Sequence, residues 1–145
     1  MVAYSFKKDF VASIRLGLID PMSHNVKLQT IRSDRKRHAR PGERIQLYYG
    51  MRTKYCEKII PDPICTKVVH GLQIMIETSE ISLIRKPKFD LRPASFDIFA
   101  RRDGFANVEE MHKFWLTNHG TGLFTGVLIY WNPTTSQVGE VSDAA

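Results

Sequence analysis

The sequence predicts an α+β fold in which short strands form a small barrel, flanked by one early and one late helix. Several short apolar segments are separated by turn-forming residues, which is typical of strands. Apolar residues also recur at helical spacing near residues 8–16 and again near residues 107–115. The length of 145 residues fits one domain. We therefore expect a single domain over residues 1–131 and a disordered polar tail over residues 132–145.

The first elements are a short strand and a helix. Tyr4 to Phe6 is aromatic and predicts a strand. The segment from Lys8 to Leu16 predicts a helix, because its apolar side chains at Phe10, Val11 and Ile14 share one face. Gly17 can end this helix in a left-handed conformation. Residues 20–25 are turn formers and predict a loop.

The middle of the chain predicts most of the strands. A polar and basic segment over residues 33–42 ends in the turn signal Pro41-Gly42. The strand candidates that follow are Arg44 to Tyr49, Cys56 to Ile60, Ile64 to Val69, Leu72 to Glu77, and Ile81 to Ile84. A break at Lys86-Pro87-Lys88 comes next. In the fourth candidate, strand alternation turns Leu72, Ile74 and Ile76 toward the core.

The clearest helix follows Asp103-Gly104-Phe105. Asn107 can cap it, and Glu110 can reach back as the second half of a capping box. Its buried stripe is predicted to consist of Val108, Met111, Phe114 and Trp115. Phe124 to Trp131 is a hydrophobic segment that predicts the closing strand.

Charge and hydropathy narrow the possible partners and the compartment. The net charge of +6 and the pI near 9.5 favour nucleic acids or nucleotides as partners. No apolar run approaches the roughly 20 residues of a membrane helix, so no membrane partner is expected. Lys7, Lys8 and Asp9 stand where a signal peptide would be apolar. We therefore expect a cytoplasmic protein.

Cysteine and histidine usage predicts neither a metal site nor a cofactor. Cys56 and Cys65 are the only cysteines, and the simplest expectation is that both are reduced and packed. A disulfide between them stays open as an alternative. The chain has no CxxC or HExxH motif, and its five histidines are scattered.

Three motifs in a fixed order go beyond this pattern. Gly17 precedes Lys27-Leu28-Gln29-Thr30-Ile31-Arg32, which is similar to the Gly-x-Lys-x-x-Thr-x-Arg signature of ASCH domains. The run from Arg40 to Tyr48 resembles the glycine, acidic residue and apolar residues that lead into that family's second strand. Asp103-Gly104-Phe105 and the helix after it resemble the acidic residue and helix before the family's last strand. Over residues 4–131 the chain thus resembles the ASCH branch of the PUA-like β-barrel proteins, which implies that fold.

Two features depart from the family pattern. The segment from Leu18 to Val26 separates Gly17 from Lys27, where the family has at most one residue. This insertion either reshapes the mouth of the pocket or changes which glycine corresponds to the one in the family signature, and the sequence leaves both alternatives open. Related enzymes often have glutamate at the acidic position, where this chain has Asp103. Glu77 and Glu80 are therefore kept as alternative acids.

The resemblance implies an amidohydrolase that removes acyl groups from the exocyclic amine of cytidine-type nucleosides. The catalytic set carried over by motif is Lys27, Thr30 and Asp103. A threonine hydroxyl needs a base to become a nucleophile, and Lys27 can serve if its pKa falls toward neutrality. The candidate substrate-binding residues are oxyanion-, phosphate- or base-contacting side chains, namely Arg32, Arg35, Arg37, Tyr48 and Phe105.

The sequence also allows two readings that involve RNA. PUA-like barrels commonly bind RNA, so a modified cytidine nucleoside and RNA are both candidate partners. A ribonuclease is a third reading, in which His24 or His38 supplies a general acid or base. The acyl-group preference and the oligomeric state do not follow from the sequence.

Overall fold

The computed structural model describes residues 1–85 and 93–133. These described residues form three α-helices and seven strands, which confirms the predicted α+β class. The predicted break at Lys86-Pro87-Lys88 and residues 134–145 of the predicted tail lie outside the described residues.

The elements follow one another with short connections. In chain order they are β1 (Val2–Phe6), a 3-10 turn (Lys8–Phe10), α1 (Val11–Ile19), β2 (Gln29–Ser33), β3 (Ile45–Tyr49), β4 (Glu57–Lys58), β5 (Ile64–Ile76), β6 (Ile81–Arg85), α2 (Pro93–Arg102), α3 (Val108–His119) and β7 (Gly122–Asn132). The predicted strand from Cys56 to Ile60 is thus reduced to the two residues of β4.

The described strands form two sheets. The larger sheet is antiparallel in the order β2-β7-β5-β6. In the smaller sheet β1 pairs parallel with β3, and β4 pairs antiparallel with β3. An isolated bridge between Arg44 and Ile64 joins the two sheets. Within the described residues the strands therefore form two separate sheets, and the predicted small barrel is not closed.

β5 is one strand where the sequence predicted two. It runs for 13 residues, and its register against β7 shifts between Cys65 and Lys67 and again between His70 and Leu72. Gly71 has a φ of +73°, so the chain passes the second irregularity as a bulge and does not turn away. The predicted core face of Leu72, Ile74 and Ile76 is confirmed, since all three are buried.

α1 extends past the glycine that was predicted to end it. The helix continues to Ile19, and the Asp20 N–H closes it by bonding the Leu16 carbonyl. A Cβ at Gly17 would lie 2.9 Å from Cγ of Pro133, so the glycine serves close packing rather than termination. Asn132 lies in β7 and Pro133 is buried here, so the prediction of a disordered tail is wrong for these two residues.

α2 was missed by the sequence analysis, whereas α3 was predicted correctly. The Asn107 side chain accepts a hydrogen bond from the Glu110 N–H at 3.0 Å, which confirms the predicted cap. The Glu110 carboxylate instead pairs with Lys113 at 3.3 Å. Met111 and Trp115 of the predicted stripe are buried.

β7 separates two hydrophobic clusters. Val127, Ile129 and Trp131 face one cluster, formed with β1, α1 and β3. Leu128 faces the other cluster, formed with α2, α3 and β5. β7 therefore contacts both hydrophobic clusters, one on each of its faces.

Two further expectations concern the thiols and the membrane. Cys56 and Cys65 are both free thiols, and only Cys65 is packed, because Cys56 is exposed. No helix in the described part of the chain is long and apolar enough to cross a membrane.

Candidate functional site

Backbone hydrogen bonds fix the position of the segment that contains Lys27 and Thr30. The Lys27 N–H bonds the Ser13 carbonyl of α1 at 3.1 Å. The Leu28 N–H bonds the Arg102 carbonyl at the end of α2 at 2.7 Å. Thr30, three residues after Lys27, pairs with Ile129 across β2 and β7. The sequence motif therefore lies where α1, α2 and β7 meet.

Lys27, Thr30 and Asp103 line one cavity. Their exposed fractions are 3%, 4% and 4%. The cavity has a volume of about 290 Å³. Its other lining residues are polar or aromatic for the most part, namely Ser5, Lys7, Phe10, Ile31, Arg32, Ser33, Phe105, Phe114, Trp115, His119 and Phe124. The fold thus brings Asp103, which is 76 positions from Lys27 in the chain, to the same cavity as Lys27 and Thr30.

Asp103 holds the Lys27 ammonium. Lys27 Nζ donates a hydrogen bond to the backbone carbonyl of Asp103 and lies 3.7 Å from its Oδ1. The ammonium also lies over the Phe10 ring at 4.6 Å and the Phe6 ring at 5.6 Å from their centroids. These contacts stabilise a charge that burial disfavours.

The Thr30 hydroxyl is contacted by Arg32. Arg32 Nε donates to Thr30 Oγ1 at 3.0 Å, and its Nη2 donates to the Ser5 carbonyl at 2.7 Å. No hydrogen bond joins Lys27 to Thr30 in the described chain. The sequence predicted that Arg32 contacts the substrate or its oxyanion. In the structure Arg32 already donates a hydrogen bond to the Thr30 hydroxyl.

Burial moves the pKa values of Lys27 and Asp103 toward each other. Desolvation is the main cause of the fall in the Lys27 pKa to about 8, against an opposing effect of Asp103. Desolvation likewise raises the pKa of Asp103 to about 6, although Lys27 opposes the rise. A neutral Lys27 amine is therefore more accessible near neutral pH than it is for a solvated lysine.

Arg32 forms no direct ion pair with a carboxylate among the described residues, although the charge of Asp103 acts on it. Desolvation lowers its pKa to about 10. Its guanidinium lies over the rings of Phe6 and Tyr4, at 4.8 and 5.4 Å from their centroids. The side chain thus offers positive charge beside the Thr30 oxygen.

An aromatic wall completes the cavity. Phe105 packs against Phe114 at 5.2 Å and against Phe10 at 5.6 Å between ring centroids. Phe105 was a predicted substrate contact, whereas Phe10 and Phe114 were predicted only as buried helix positions. Their shared surface depends on how α1 and α3 meet, which no local sequence signal shows.

The other predicted substrate contacts lie outside the lining of this cavity. Tyr48 is on β3, with Lys58 Nζ at 5.8 Å from its ring centroid. Arg35 lies over Tyr4 at 4.8 Å from the ring centroid, and Arg37 pairs with Glu43 at 2.6 Å. Arg35 is therefore adjacent to β1, and neither Arg35 nor Arg37 lines the cavity.

The alternative acids and the histidines also lie elsewhere. Glu77 and Glu80 are at the turn between β5 and β6, where their backbones bond each other at 2.8 Å. His38 is held between the Tyr4 hydroxyl at 3.0 Å and the Ser33 carbonyl at 2.9 Å. His24 lines a second cavity of about 280 Å³, together with other residues of the Leu18 to Val26 insertion.

Over residues 1–85 and 93–133, no three histidine, cysteine or acidic side chains are grouped so that they could hold a metal ion. Comparison with known proteins gives no match to a protein-family model, to a curated protein or to a solved structure.

Proposed function

We propose that this chain is an amidohydrolase of the ASCH type, which removes acyl groups from the exocyclic amine of cytidine-type nucleosides. The observation that carries the proposal is the shared burial of Lys27, Thr30 and Asp103 in one cavity. Burying a lysine and an aspartate works against folding, and such groups cluster at functional sites. The motif resemblance supplies the reaction class.

A PUA-like barrel is the fold that we propose with this function. Its support is the bridge between Arg44 and Ile64, which brings the edges of the two sheets together. The Gly42 N–H also bonds the Cys65 carbonyl at 2.7 Å, and the Cys65 N–H bonds the Glu43 carbonyl at 2.7 Å. These bonds join the segment before β3 to the start of β5, so they support a barrel in which the two sheets meet along this edge.

The cavity suits a pyrimidine rather than a polymer. Its volume of about 290 Å³ is at the lower end of the range for small-molecule pockets, roughly 300–1,000 Å³. The wall of Phe105, Phe114 and Phe10 offers aromatic faces and edges to a flat base. The polar groups at Lys27 and Thr30 would then contact the exocyclic amide.

The proposed reaction has two stages. The neutral amine of Lys27 takes the proton of the Thr30 hydroxyl, directly or through one water molecule, and Oγ1 attacks the acyl carbonyl carbon. The C–N bond breaks, and the cytosine amine leaves with the proton from the Lys27 ammonium. Water then hydrolyses the acyl-threonine ester, which releases the carboxylic acid and restores the hydroxyl.

Arg32 and Asp103 support these stages in different ways. Arg32 donates to the Thr30 oxygen and stabilises negative charge at the reacting centre. Asp103 holds Lys27 Nζ at the cavity and can also anchor the cytosine ring or pass a proton to the leaving amine. Lys27 must leave its resting contacts, or act through water, to reach Thr30.

The function is tested with purified protein, N4-acetylcytidine and N4-benzoylcytidine. We expect repeated turnover to cytidine, followed by the ultraviolet change, without any RNA in the assay. The neutral substrate makes no phosphate contacts, so the rate should depend only weakly on salt. A folded sample that leaves both compounds intact would refute the proposal.

RNA binding is the second candidate, favoured by the net charge of +6 and by the basic segment beside β1. It predicts that affinity for single-stranded RNA falls steeply with salt. Replacing Arg35 and Arg37 with alanine should then weaken binding more than Lys27→Ala. Cleavage of the same RNA would indicate the ribonuclease reading.

A further inference from the structure

Gln29 is a buried amide next to the acidic residue of the site. It is the first residue of β2, has an exposed fraction of 0% and pairs with Tyr130 of β7. Its Nε2 lies 3.4 Å from Asp103 Oδ1 and 3.4 Å from the Phe99 carbonyl. Its Oε1 is buried and has no hydrogen-bond partner in the described chain.

The Phe99 carbonyl fixes the direction in which this amide points. A backbone carbonyl only accepts hydrogen bonds. Rotating the amide by half a turn would place Oε1 against the Phe99 oxygen and would leave two acceptors facing each other. The amide therefore presents Nε2, a donor, to Asp103. A donor stabilises a carboxylate and disfavours the protonated acid.

We propose that Gln29 is a positioning residue that selects the ionised form of Asp103 and so keeps its partner Lys27 protonated at rest. The catalytic meaning of this role rests on the proposed hydrolase, because Gln29 acts through Asp103. An orphaned amide oxygen in the core costs free energy, which an apolar side chain would avoid. The role accounts for a polar residue at this position.

The other charged and titratable groups around Asp103 also affect its ionisation. Lys27 and Arg32, before and within β2, favour the carboxylate, and burial opposes it. The charge of Asp103 also acts on Tyr130 of β7, as does the charge of Arg102 at the end of α2. Among these effects, Gln29 contributes a hydrogen bond that favours the carboxylate. Its loss should therefore be measurable.

The first experiment needs no substitution. The side-chain amide resonances of Gln29 are followed by NMR as the pH is changed, together with the carboxyl carbon of Asp103. We expect the Gln29 N–H₂ signals to move with the same midpoint as Asp103, because the hydrogen bond weakens when Asp103 is protonated. Gln29 signals that stay constant through the Asp103 midpoint would overturn the proposal.

The second experiment compares Gln29→Met with Gln46→Met. Gln46 is on β3 and does not line the cavity, so it is the matched control. Without the donor, the Asp103 pKa should rise by about one unit, a tenfold change in its acid dissociation constant. The Lys27 pKa should fall, because Asp103 then carries less negative charge. An unchanged Asp103 midpoint in folded Gln29→Met would contradict the proposal.

These titrations separate the role of Gln29 from the proposed function. They use the free protein, so they can succeed even if no acyl cytidine is hydrolysed. If hydrolysis does occur, Gln29→Met should move the low-pH limb of the kcat/KM profile upward together with the Asp103 midpoint. A general loss of packing would lower the rate at every pH and leave that limb in place.

Discussion

The protonation state of Lys27 is the residue-scale property that controls the proposed chemistry. Its ammonium is held by Asp103 and by two phenylalanine rings, yet burial still lowers its pKa to about 8. A lysine with its ordinary pKa of 10.5 would almost never be neutral near pH 7. The buried position therefore makes general-base chemistry accessible under physiological conditions.

The pH profile of hydrolysis tests this point. Lys27 must lose its proton to act, so kcat/KM should rise with pH and level off above about pH 8. Ionisation of Asp103 should add a second rising limb near pH 6. The profile is measured with N4-acetylcytidine, after confirming that the protein stays folded throughout. A rate that falls as the pH rises from 6 to 8 would contradict the role of Lys27.

At the scale of secondary-structure elements, the turn after α2 positions Asp103. The Asp103 and Phe105 N–H groups bond carbonyls of the last turn of α2, at 3.1 Å to Phe99 and 2.9 Å to Ala100. Gly104 between them has a φ of +100°, a left-handed conformation common after helices. The helix end therefore directs the Asp103 backbone carbonyl at Lys27.

Gly104→Ala tests whether this turn positions the site. A Cβ there would lie 2.8 Å from Phe10 Cδ1 and 3.0 Å from Lys27 Cδ. Gly120→Ala is the control, since Gly120 has a φ of +75° but no atom within 4 Å of an added Cβ. Gly120→Ala should lose about 1–2 kcal/mol in the free energy of unfolding, and Gly104→Ala should lose more, because its Cβ also overlaps Phe10.

Only Gly104→Ala should also lower kcat/KM, by about tenfold or more, because the added methyl displaces Lys27. Urea unfolding and hydrolysis rates measure the two effects. Equal activity in the two alanine variants would show that the turn does not position the lysine.

The elements also show what could be predicted from the sequence. α3 was predicted because its cap and apolar stripe are local signals, as was the strand from Ile45 to Tyr49. α2 was missed because its buried face, seen at Phe99 and Ala100, is short and depends on packing against α3 and β5. The two halves of β5 were separated because Gly71 resembles a turn residue until its bulge is seen.

Only the residues of the candidate site that belong to the sequence motifs could be predicted, and their contacts could not. Lys27, Thr30 and Asp103 were chosen by resemblance, and the fold does bring them to one cavity. The hydrogen bond from Arg32 to Thr30 depends on side-chain directions within β2. Gln29 carried no sequence signal, because its role requires α2 to pass beside β2.

The buried pair gives the whole molecule an unusual dependence of stability on pH. Asp103 has a raised pKa, so the folded state binds its proton more tightly and loses stability as the pH rises from about 4 to about 6. Lys27 has a lowered pKa, so the folded state gains stability as the pH rises from about 8 to about 10.5. The contribution of the pair is therefore lowest between about pH 6 and pH 8.

A double substitution tests this pattern. Lys27→Met with Asp103→Asn removes both charges and should raise the free energy of unfolding by about 1–4 kcal/mol between pH 6 and pH 8. The gain should shrink at pH 4 and at pH 10. The control is Lys113→Met with Glu110→Gln, an exposed pair expected to change stability by less than about 1 kcal/mol. A double variant less stable than wild type at pH 7 would contradict the assigned pKa directions.

The most direct test of the proposed function is the rate of N4-acetylcytidine hydrolysis by wild type, Lys27→Met and Thr30→Val. Lys8→Met is the control, because Lys8 is exposed and does not line the cavity. We predict turnover by wild type and by the control, and a loss of at least about a hundredfold in each of the other two variants. Wild-type rates in folded Lys27→Met and Thr30→Val, or no turnover by folded wild type, would contradict a hydrolase built on these two residues.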